Sequence, residues 1–284
     1  MLDNFTTGNP SDLDGMDVRI IQGDILDYDA VSSAGRDAEA VVHLAAHTRV
    51  LESVENPMLN FETNGKGTLN VLESCRRNNV PKVVFASTGG AIIGDVMPPV
   101  TEDMLPRPLS PYGASKLMGE GYCSAYAGSY GLSIRSVRFS NVYGPYSYHK
   151  GSVVAQFFRR ILLGEGIEIF GDGSQTRDFI YVGDVCAGIR SVLHAPSQAG
   201  FDVYNLATES ETSINQLVEL IQQTVGTKFD VNYSPPNQGE IYRNFASVQK
   251  AQRELDFRPR VPLGDGLELT WRWFKRHFQD HKSV

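Results

Sequence analysis

The 284 residues include only 3 cysteines and 2 tryptophans, and no apolar run reaches the roughly 18 residues that would span a bilayer. Cys75, Cys123 and Cys186 lie far apart and share no metal-ligand spacing. That excludes a zinc module and a disulfide framework, and it predicts reduced thiols in a cytoplasmic protein with no metal. Positive charge is scarce as well: 26 Lys and Arg against 33 Asp and Glu leave a formal charge of −7. With a pI near 5.4 and no basic cluster, nucleic acid is excluded as the main partner. There is no repeat and no low-complexity tract. The start, Met1-Leu2-Asp3-Asn4, lacks the signal-peptide pattern. What is present is a globular balance, 41% hydrophobic and 21% charged, enough for one large domain or a main domain with a smaller cap.

Short apolar runs bounded by Gly or Asp alternate with longer amphipathic stretches. Strands are predicted at 18–23, 40–44, 82–86 and 134–139, with helices at 57–79 and 111–130. Ser110 before Pro111 makes an N-cap and first-turn pair for the second helix. Strands joined by helices of ~15–20 residues imply parallel strands with crossovers, an α/β doubly wound sheet. Beyond about residue 145 the pattern loosens: helices are expected at 151–163, 214–225 and 263–278, and short strands at 168–170 and 203–206. The division expected is a nucleotide-binding domain over 1–145, to which the chain returns around 178–206. A mixed α/β substrate-binding domain takes 146–177 and 207–284.

The sharpest local signal is Tyr112-Gly113-Ala114-Ser115-Lys116. On a helix, i and i+4 share a face, so a phenol and an ammonium can reach one ligand. A free tyrosine, with a pKa of about 10, is a poor base at neutral pH. A nearby lysine cation favours the phenolate and is expected to bring that value down. Taken alone the spacing is common, and a surface cation beside a packed ring explains it equally well. About 25 residues upstream, however, a strand ends in Phe85-Ala86-Ser87-Thr88-Gly89-Gly90. Hydroxyls at the carboxyl end of a strand in such a sheet sit at the ligand crevice. Thr88 can therefore hydrogen-bond the oxygen that Tyr112 deprotonates.

Further segments extend the pattern: Leu2-Asp3-Asn4, Gly23-Asp24-Ile25, His43-Leu44-Ala45-Ala46, Asn64 with Gly67-Thr68, Arg138 to Pro145, Gly171-Asp172-Gly173 and Arg177-Asp178-Phe179. In this order they resemble the extended short-chain dehydrogenase/reductases, in particular NAD-dependent nucleotide-sugar epimerases and dehydratases of the UDP-glucose 4-epimerase type. The resemblance runs from Leu2 to about Phe274. It implies a Rossmann-type sheet, NAD as cofactor and a nucleotide sugar, a UDP-hexose, as substrate. Asp3 would accept from the adenosine ribose hydroxyls, which favours NAD over NADP. Asp24 and Ile25 would flank the adenine, Leu44, Ala45 and Ala46 would let backbone approach the cofactor, and Asn64 would help hold its nicotinamide half. Asn4, Thr7, Thr48, Phe139 and Ser140 complete the implied cofactor set, and Lys116 would also bind the nicotinamide ribose. Thr88, Asn141, Arg177 and Arg243 would contact the substrate, the arginine forks suiting a diphosphate. A homodimer through the helices starting near Pro57 and Pro111 is implied too.

Two departures stand out. Where the family carries Arg-x-Gly-Asp/Glu, this chain has Asn237-Gln238-Gly239-Glu240, with Arg243 close by as the substitute. Where the family has Val-Tyr-Gly after the Ser-Thr strand, this chain has Ile92-Ile93-Gly94. The resemblance also implies that Asp3 is the ribose-binding acid, which in a dinucleotide fold lies ~20 residues after a glycine-rich turn. No such turn precedes it, so the expectation is a chain lacking its first strand, glycine loop and first helix, roughly 30 residues, and binding NAD poorly.

The reaction implied is C4 epimerisation through a 4-keto sugar, with Tyr112, Thr88 and Lys116 as the catalytic set. A 4,6-dehydratase or a reductase of the same family is the alternative, and a non-catalytic scaffold is the alternative of another class. A scaffold has no physical need for the full Thr, Tyr and Lys set. Dehydratases place an Asp-Glu pair directly after the active-site Thr, whereas Thr88 is followed by Gly89 and Gly90, which transfer no proton. Glu102 and Asp103 are expected in a loop covering the site.

Overall fold

The structure, a computed structural model, describes residues 1–196, 198–236 and 241–282. In its first half the β-branched runs fold as strands and the amphipathic stretches as helices: β1 (Leu2–Asp3), β2 (Ile21–Gln22), α1 (Tyr28–Ala34), β3 (Ala40–His43), α2 (Val50–Glu55), α3 (Pro57–Asn60), α4 (Gly67–Arg77), β4 (Lys82–Thr88), α5 (Gly89–Ile93), α6 (Pro111–Tyr130) and β5 (Ser133–Phe139). The second half adds β6 (Asn141–Tyr143), α7 (Val153–Leu162), β7 (Ile167–Phe170), β8 (Thr176–Arg177), β9 (Phe179–Tyr181), α8 (Val182–His194), β10 (Gly200–Leu206), β11 (Thr212–Ser213), α9 (Ile214–Val225), β12 (Val231–Ser234), β13 (Arg243–Asn244), α10 (Gln249–Leu255) and α11 (Leu263–Lys282).

Two compact units divide the chain. One comprises Met1–Gly94, Glu102–Arg138 and Ile189–Asn205. Its four-stranded sheet has the order β10-β5-β4-β3, with β3 parallel to β4 and Val42 opposite Val84. Crossover helices between parallel strands make this a Rossmann-type α/β fold. The core packs Val83 and Phe85 of β4 and Ile134 of β5 against Leu72 and Cys75 of α4 and Cys123 and Ala127 of α6. β1 and β2 pair in parallel as a separate ribbon, Leu2 opposite Ile21 and Asp3 opposite Gln22. The strand expected over 18–23 therefore shrinks to Ile21–Gln22: β1 offers two residues to pair with, and Val18 and Ile20 stay exposed.

The helix expected over 57–79 is α3, a π-helical stretch over Phe61–Lys66, and α4. The wide turn carries Asn64 into the interior, where its amide finds partners described below. α6 begins and ends as its sequence dictates. The Ser110 hydroxyl accepts from Gly113 N–H at 3.1 Å, Pro111 occupies the first turn, and Gly131 closes the helix in the left-handed region at φ +72°.

The other unit comprises Asp95–Thr101, Phe139–Gly188 and Leu206–Val284. Phe157 and Phe158 of α7, Ile167 and Ile169 of β7, Leu217 and Ile221 of α9, and Leu267, Trp271 and Phe274 of α11 form its core. Its strands make three small sheets: β6 with β9, β7 with β12, and β11-β8-β13. α9 starts with a Ser213/Gln216 capping box. No described helix is long and apolar enough to cross a membrane, and Cys75, Cys123 and Cys186 are free thiols.

Candidate active site

β4 delivers Ala86, Ser87 and Thr88 to its carboxyl end, where Thr88 is half-buried and the chain turns into α5. α6 carries Tyr112 in its first turn and Lys116 one turn later. The Tyr112 N–H donates to the Ser53 hydroxyl at 3.1 Å, which fixes the start of the helix against α2. Lys116 is 4% exposed, and its ammonium donates to the Ala86 carbonyl at 3.0 Å, two residues before Thr88. It also stands 5.1 Å from the centroid of the Phe85 ring. The Tyr-x-x-x-Lys helix and the Ser-Thr strand are thus joined by the catalytic candidate itself.

Burial dominates the proton affinities here. It pushes the Lys116 amine down to about 8, against the opposing pull of Cys123 and Glu120, so the ammonium is still the main form at neutral pH. The same loss of hydration pushes the Tyr112 phenol up to about 12. That direction is the reverse of the one expected from the lysine spacing, and removal from water is its cause. His43, at the end of β3, is driven down to about 3 by burial and then by the Lys116 charge, and its Nε2 meets the Thr68 hydroxyl at 3.0 Å.

Of the residues expected around a cofactor, those of the first unit gather at two places, while Phe139 and Ser140 belong to the other unit. Asp3 ends β1, and its carboxylate accepts from Phe5 N–H at 2.7 Å. Asn4 donates to Asp24 at 2.9 Å, and Leu26 N–H donates to the other Asp24 oxygen at 2.8 Å, which together hold that carboxyl below its usual range. Thr7 is exposed nearby in sequence, and Ile25 is buried against α4. The Asp3 carboxylate, with no cation across Asp3–Thr7 and the Asp24 carboxylate bonded to Asn4, makes an acceptor set that suits ribose hydroxyls and rejects a 2′-phosphate. Leu44 and Ala45 are exposed beyond the end of β3, followed by half-buried Ala46 and exposed Thr48. Asn64 accepts from His47 N–H at 2.8 Å and donates to the His47 carbonyl at 2.9 Å and the Ser115 hydroxyl at 3.0 Å. Its amide therefore clamps the segment after β3 to α6. The chemistry present fits NAD.

In the other unit, Asn141 donates twice to the Asp178 carbonyl, from its N–H at 2.9 Å and its side chain at 3.2 Å. Ser140, next to half-buried Phe139, donates to the Asp178 carboxylate at 3.1 Å, which Thr208 and Glu209 also satisfy. Asp178 is thus the hub that ties Ser140 and Asn141 to Thr208 and Glu209. Register places Arg177 opposite Asn244 and Arg243 opposite Thr176. Side chains alternate along a strand, so the two arginines lie on opposite faces of the β11-β8-β13 sheet. Arg243 is held by Glu211 through two bonds of 2.7 Å, and Thr176 donates to the same carboxylate at 2.6 Å. Asn237 to Glu240, the departure from Arg-x-Gly-Asp/Glu, lie outside the described residues.

Some contributors were not singled out from sequence. Ser87, Arg138 and Asp178 figured there only as parts of matching segments, and Glu120 was passed over although it follows Lys116 by one helical turn. Glu102 is tied down: its carboxylate accepts from Asn205 N–H at 2.8 Å.

Comparison with known proteins extends this picture. The sequence model of the NAD dependent epimerase/dehydratase family matches residues 1–207. UDP-glucose 4-epimerase of Mycolicibacterium smegmatis is 33% identical over 287 residues, covering 98% of this chain and 91% of the relative. The fold superimposes on the crystal structure of UDP-glucose 4-epimerase from Thermotoga maritima with UDP-glucose at a TM-score of 0.92, with 34% identity, covering 98% of this chain and 90% of that one. It superimposes on the Thermus thermophilus UDP-glucose 4-epimerase complex with NAD at 0.89, with 36% identity, covering 96% and 90%.

Proposed function

Since the chain belongs to the NAD dependent epimerase/dehydratase family, we propose that Thr88, Tyr112 and Lys116 carry out the proton chemistry of a nucleotide-sugar 4-epimerase. The protein is an NAD-dependent nucleotide-sugar epimerase of the UDP-glucose/UDP-galactose type. The observation that carries the residue assignment is Lys116, a buried ammonium fastened to the Ala86 carbonyl of the strand that ends in Thr88, one turn from Tyr112. NAD, when bound, supplies the hydride acceptor and donor. Tyr112 Oη takes the proton of the sugar 4-hydroxyl, and the Thr88 hydroxyl orients and shares that proton. Lys116 holds positive charge beside Tyr112 and favours the phenolate that has to be present before it takes this proton and becomes the neutral phenol. The protons return by the same groups when the ketone is reduced on its other face, so no further acid or base is needed.

Asp3, Asn4, Thr7, Asp24, Ile25, Leu44, Ala45, Ala46, Thr48, Asn64, Phe139 and Ser140 serve the cofactor in this reading, and Asn141 and Arg177 serve the nucleotide diphosphate, with Arg243, on the opposite face and held by Glu211, contributing little. Gly89 and Gly90 after Thr88 give no acid for loss of the 6-hydroxyl, and Glu102 is committed to the Asn205 backbone, which favours epimerisation over dehydration. The enzyme works in the cytoplasm, consistent with its free thiols. It pairs as a homodimer through the apolar surface of α2, α3 and the π-helical stretch, where Leu51, Val54, Met58 and Phe61 are exposed beside a shallow hollow lined by Pro111, Ala114 and Met118.

The test is to incubate the purified protein with UDP-glucose in D2O and resolve the sugars. A C4-inverted product with no C5 exchange is expected, and Tyr112→Phe should lower turnover by about 10²–10⁴ while nucleotide-sugar binding persists. A 4-keto-6-deoxy product, or near-normal turnover by Tyr112→Phe, would refute the assignment.

A further inference from the structure

One carboxylate behind the catalytic groups joins three elements at once. Glu120 follows Lys116 by one turn of α6 and is 5% exposed. Its Oε1 accepts from the Ser87 hydroxyl of β4 at 2.7 Å, the Ser136 hydroxyl of β5 at 3.0 Å and Arg138 Nε at 2.9 Å. Its Oε2 accepts from Arg138 Nη2 at 2.7 Å. Arg138 is 4% exposed, and its remaining arm donates to the Glu102 carbonyl at 3.3 Å. Ser87 and Ser136 are buried as well.

Burying two charges costs hydration that their attraction rarely returns in full, and apolar residues of similar volume commonly stabilise such a site as well or better. Stability alone therefore does not account for the pair, whereas registry does. Lys116 bonds to Ala86 and Glu120 bonds to Ser87, so successive turns of α6 are fastened to successive residues of the strand that ends in Thr88.

We propose that Glu120, paired with Arg138, is a positioning residue of the reaction: it fixes the register of α6 against β4 and so sets where Tyr112 and Lys116 stand relative to Thr88. The same carboxylate works through charge. The titratable groups coupled to Lys116 are Cys123 and Glu120 on its own helix and His43 from β3, with Arg138 of β5 paired to Glu120. Cys123 and Glu120 both hold the ammonium's proton against the effect of burial, and of the two Glu120 is the one fastened in place by Arg138, Ser87 and Ser136. The proposal rests on the epimerase reading for its kinetic consequence, though not for its geometry.

The full chain is compared with Glu120→Gln and with the double variant Glu120→Leu/Arg138→Met. The readouts are the Lys116 titration by 13Cε-lysine NMR without cofactor, the thermal midpoint, and kcat and KM for UDP-glucose. In Glu120→Gln the Lys116 midpoint is expected to fall by about one pH unit, and kcat by roughly 10- to 100-fold, with KM within about threefold. The double variant is expected to recover the thermal midpoint of the unaltered chain but not its kcat. Recovery of rate together with midpoint would make the pair merely structural and overturn the proposal, as would an unmoved Lys116 titration in Glu120→Gln. If the unaltered chain fails to interconvert the sugars, the epimerase reading fails, and the lysine titration still decides the role of Glu120.

Discussion

Gly119 offers a sharp test of how closely α6 must sit on β4. A Cβ built there would lie 2.4 Å from Phe85 Cζ and 3.0 and 3.2 Å from its two Cε atoms. Carbon atoms pack at ~3.5–4.0 Å, so about 1 Å must be found by moving the ring or the helix. The ring has no room: Phe85 is fully buried in the core and faces the His43 ring at 5.8 Å between centroids. The helix must therefore lift between Lys116 and Glu120. Overpacking of this kind costs about 1–3 kcal/mol, while replacing a helical glycine with alanine gains about 1 kcal/mol. Gly121 and Gly128 lie on the same helix with nothing within 4 Å of the added carbon, so alanine there should give the gain alone. Midpoints of Gly119→Ala and Gly128→Ala, taken by circular dichroism at one scan rate, should separate by roughly 2–12 °C in favour of Gly128→Ala, at about 2–4 °C per kcal/mol. Gly119→Ala should also lose at least about tenfold in kcat, through the displaced lysine. Equal midpoints, or a more stable Gly119→Ala, would show that the helix does not depend on this close approach.

Three further outcomes follow from the same contacts. His43 is neutral when folded, with its value down at about 3 against 6.5 in the unfolded chain, so only the unfolded state takes up its proton as pH falls through 6.5. Stability should drop by about 2 kcal/mol between pH 7 and pH 5; urea midpoints that fall equally in His43→Gln would rule this out. Arg177→Met should raise KM for UDP-glucose at least about tenfold and Arg243→Met by less than about threefold, because Arg243 lies on the opposite face of its sheet and is already held by Glu211; equal effects would contradict that ordering. Leu51→Asp with Met58→Asp should halve the mass seen by analytical ultracentrifugation, and an unchanged mass would move the dimer contact elsewhere.

What the sequence discloses is what local chemistry controls. The α6 boundaries follow from Ser110, Pro111 and Gly131, and β4 from its run of β-branched and aromatic residues. The π-helical turn was invisible because Phe61–Lys66 has the same polarity pattern as an ordinary helix. It places Asn64 among partners that come from His47 and Ser115, distant in sequence. The Tyr112 shift ran opposite to expectation for a related reason: the lysine was legible, but the burial that sets the shift is a property of packing. Glu120 carried its helical spacing openly, yet Ser87, Ser136 and Arg138 reach it only once both strands are in place. The roles of Arg177 and Arg243 came from resemblance, and neither the face each occupies nor the Glu211 clamp was readable before the register of β8 and β13.

The order of strands also sets a timetable for synthesis. β5 is flanked in the sheet by β4 and β10, and the stretch Phe139–Gly188 of the other unit is inserted in the chain between them. The segment from Arg138 to Asn205 spans 205 − 138 = 67 residues, and a ribosome moving at ~5–20 residues per second needs roughly 3–13 s to deliver it. For that interval the outer edge of β5 waits without its partner, an invitation to pairing with other nascent chains. The strand reads Ser-Ile-Arg-Ser-Val-Arg-Phe, and its two arginines interrupt what would otherwise be an aggregation-prone run. Arg135 then takes a second duty on arrival of the late strand, donating to the Gly200 carbonyl at 2.9 Å. The residue that guards the open edge is the one that latches it shut.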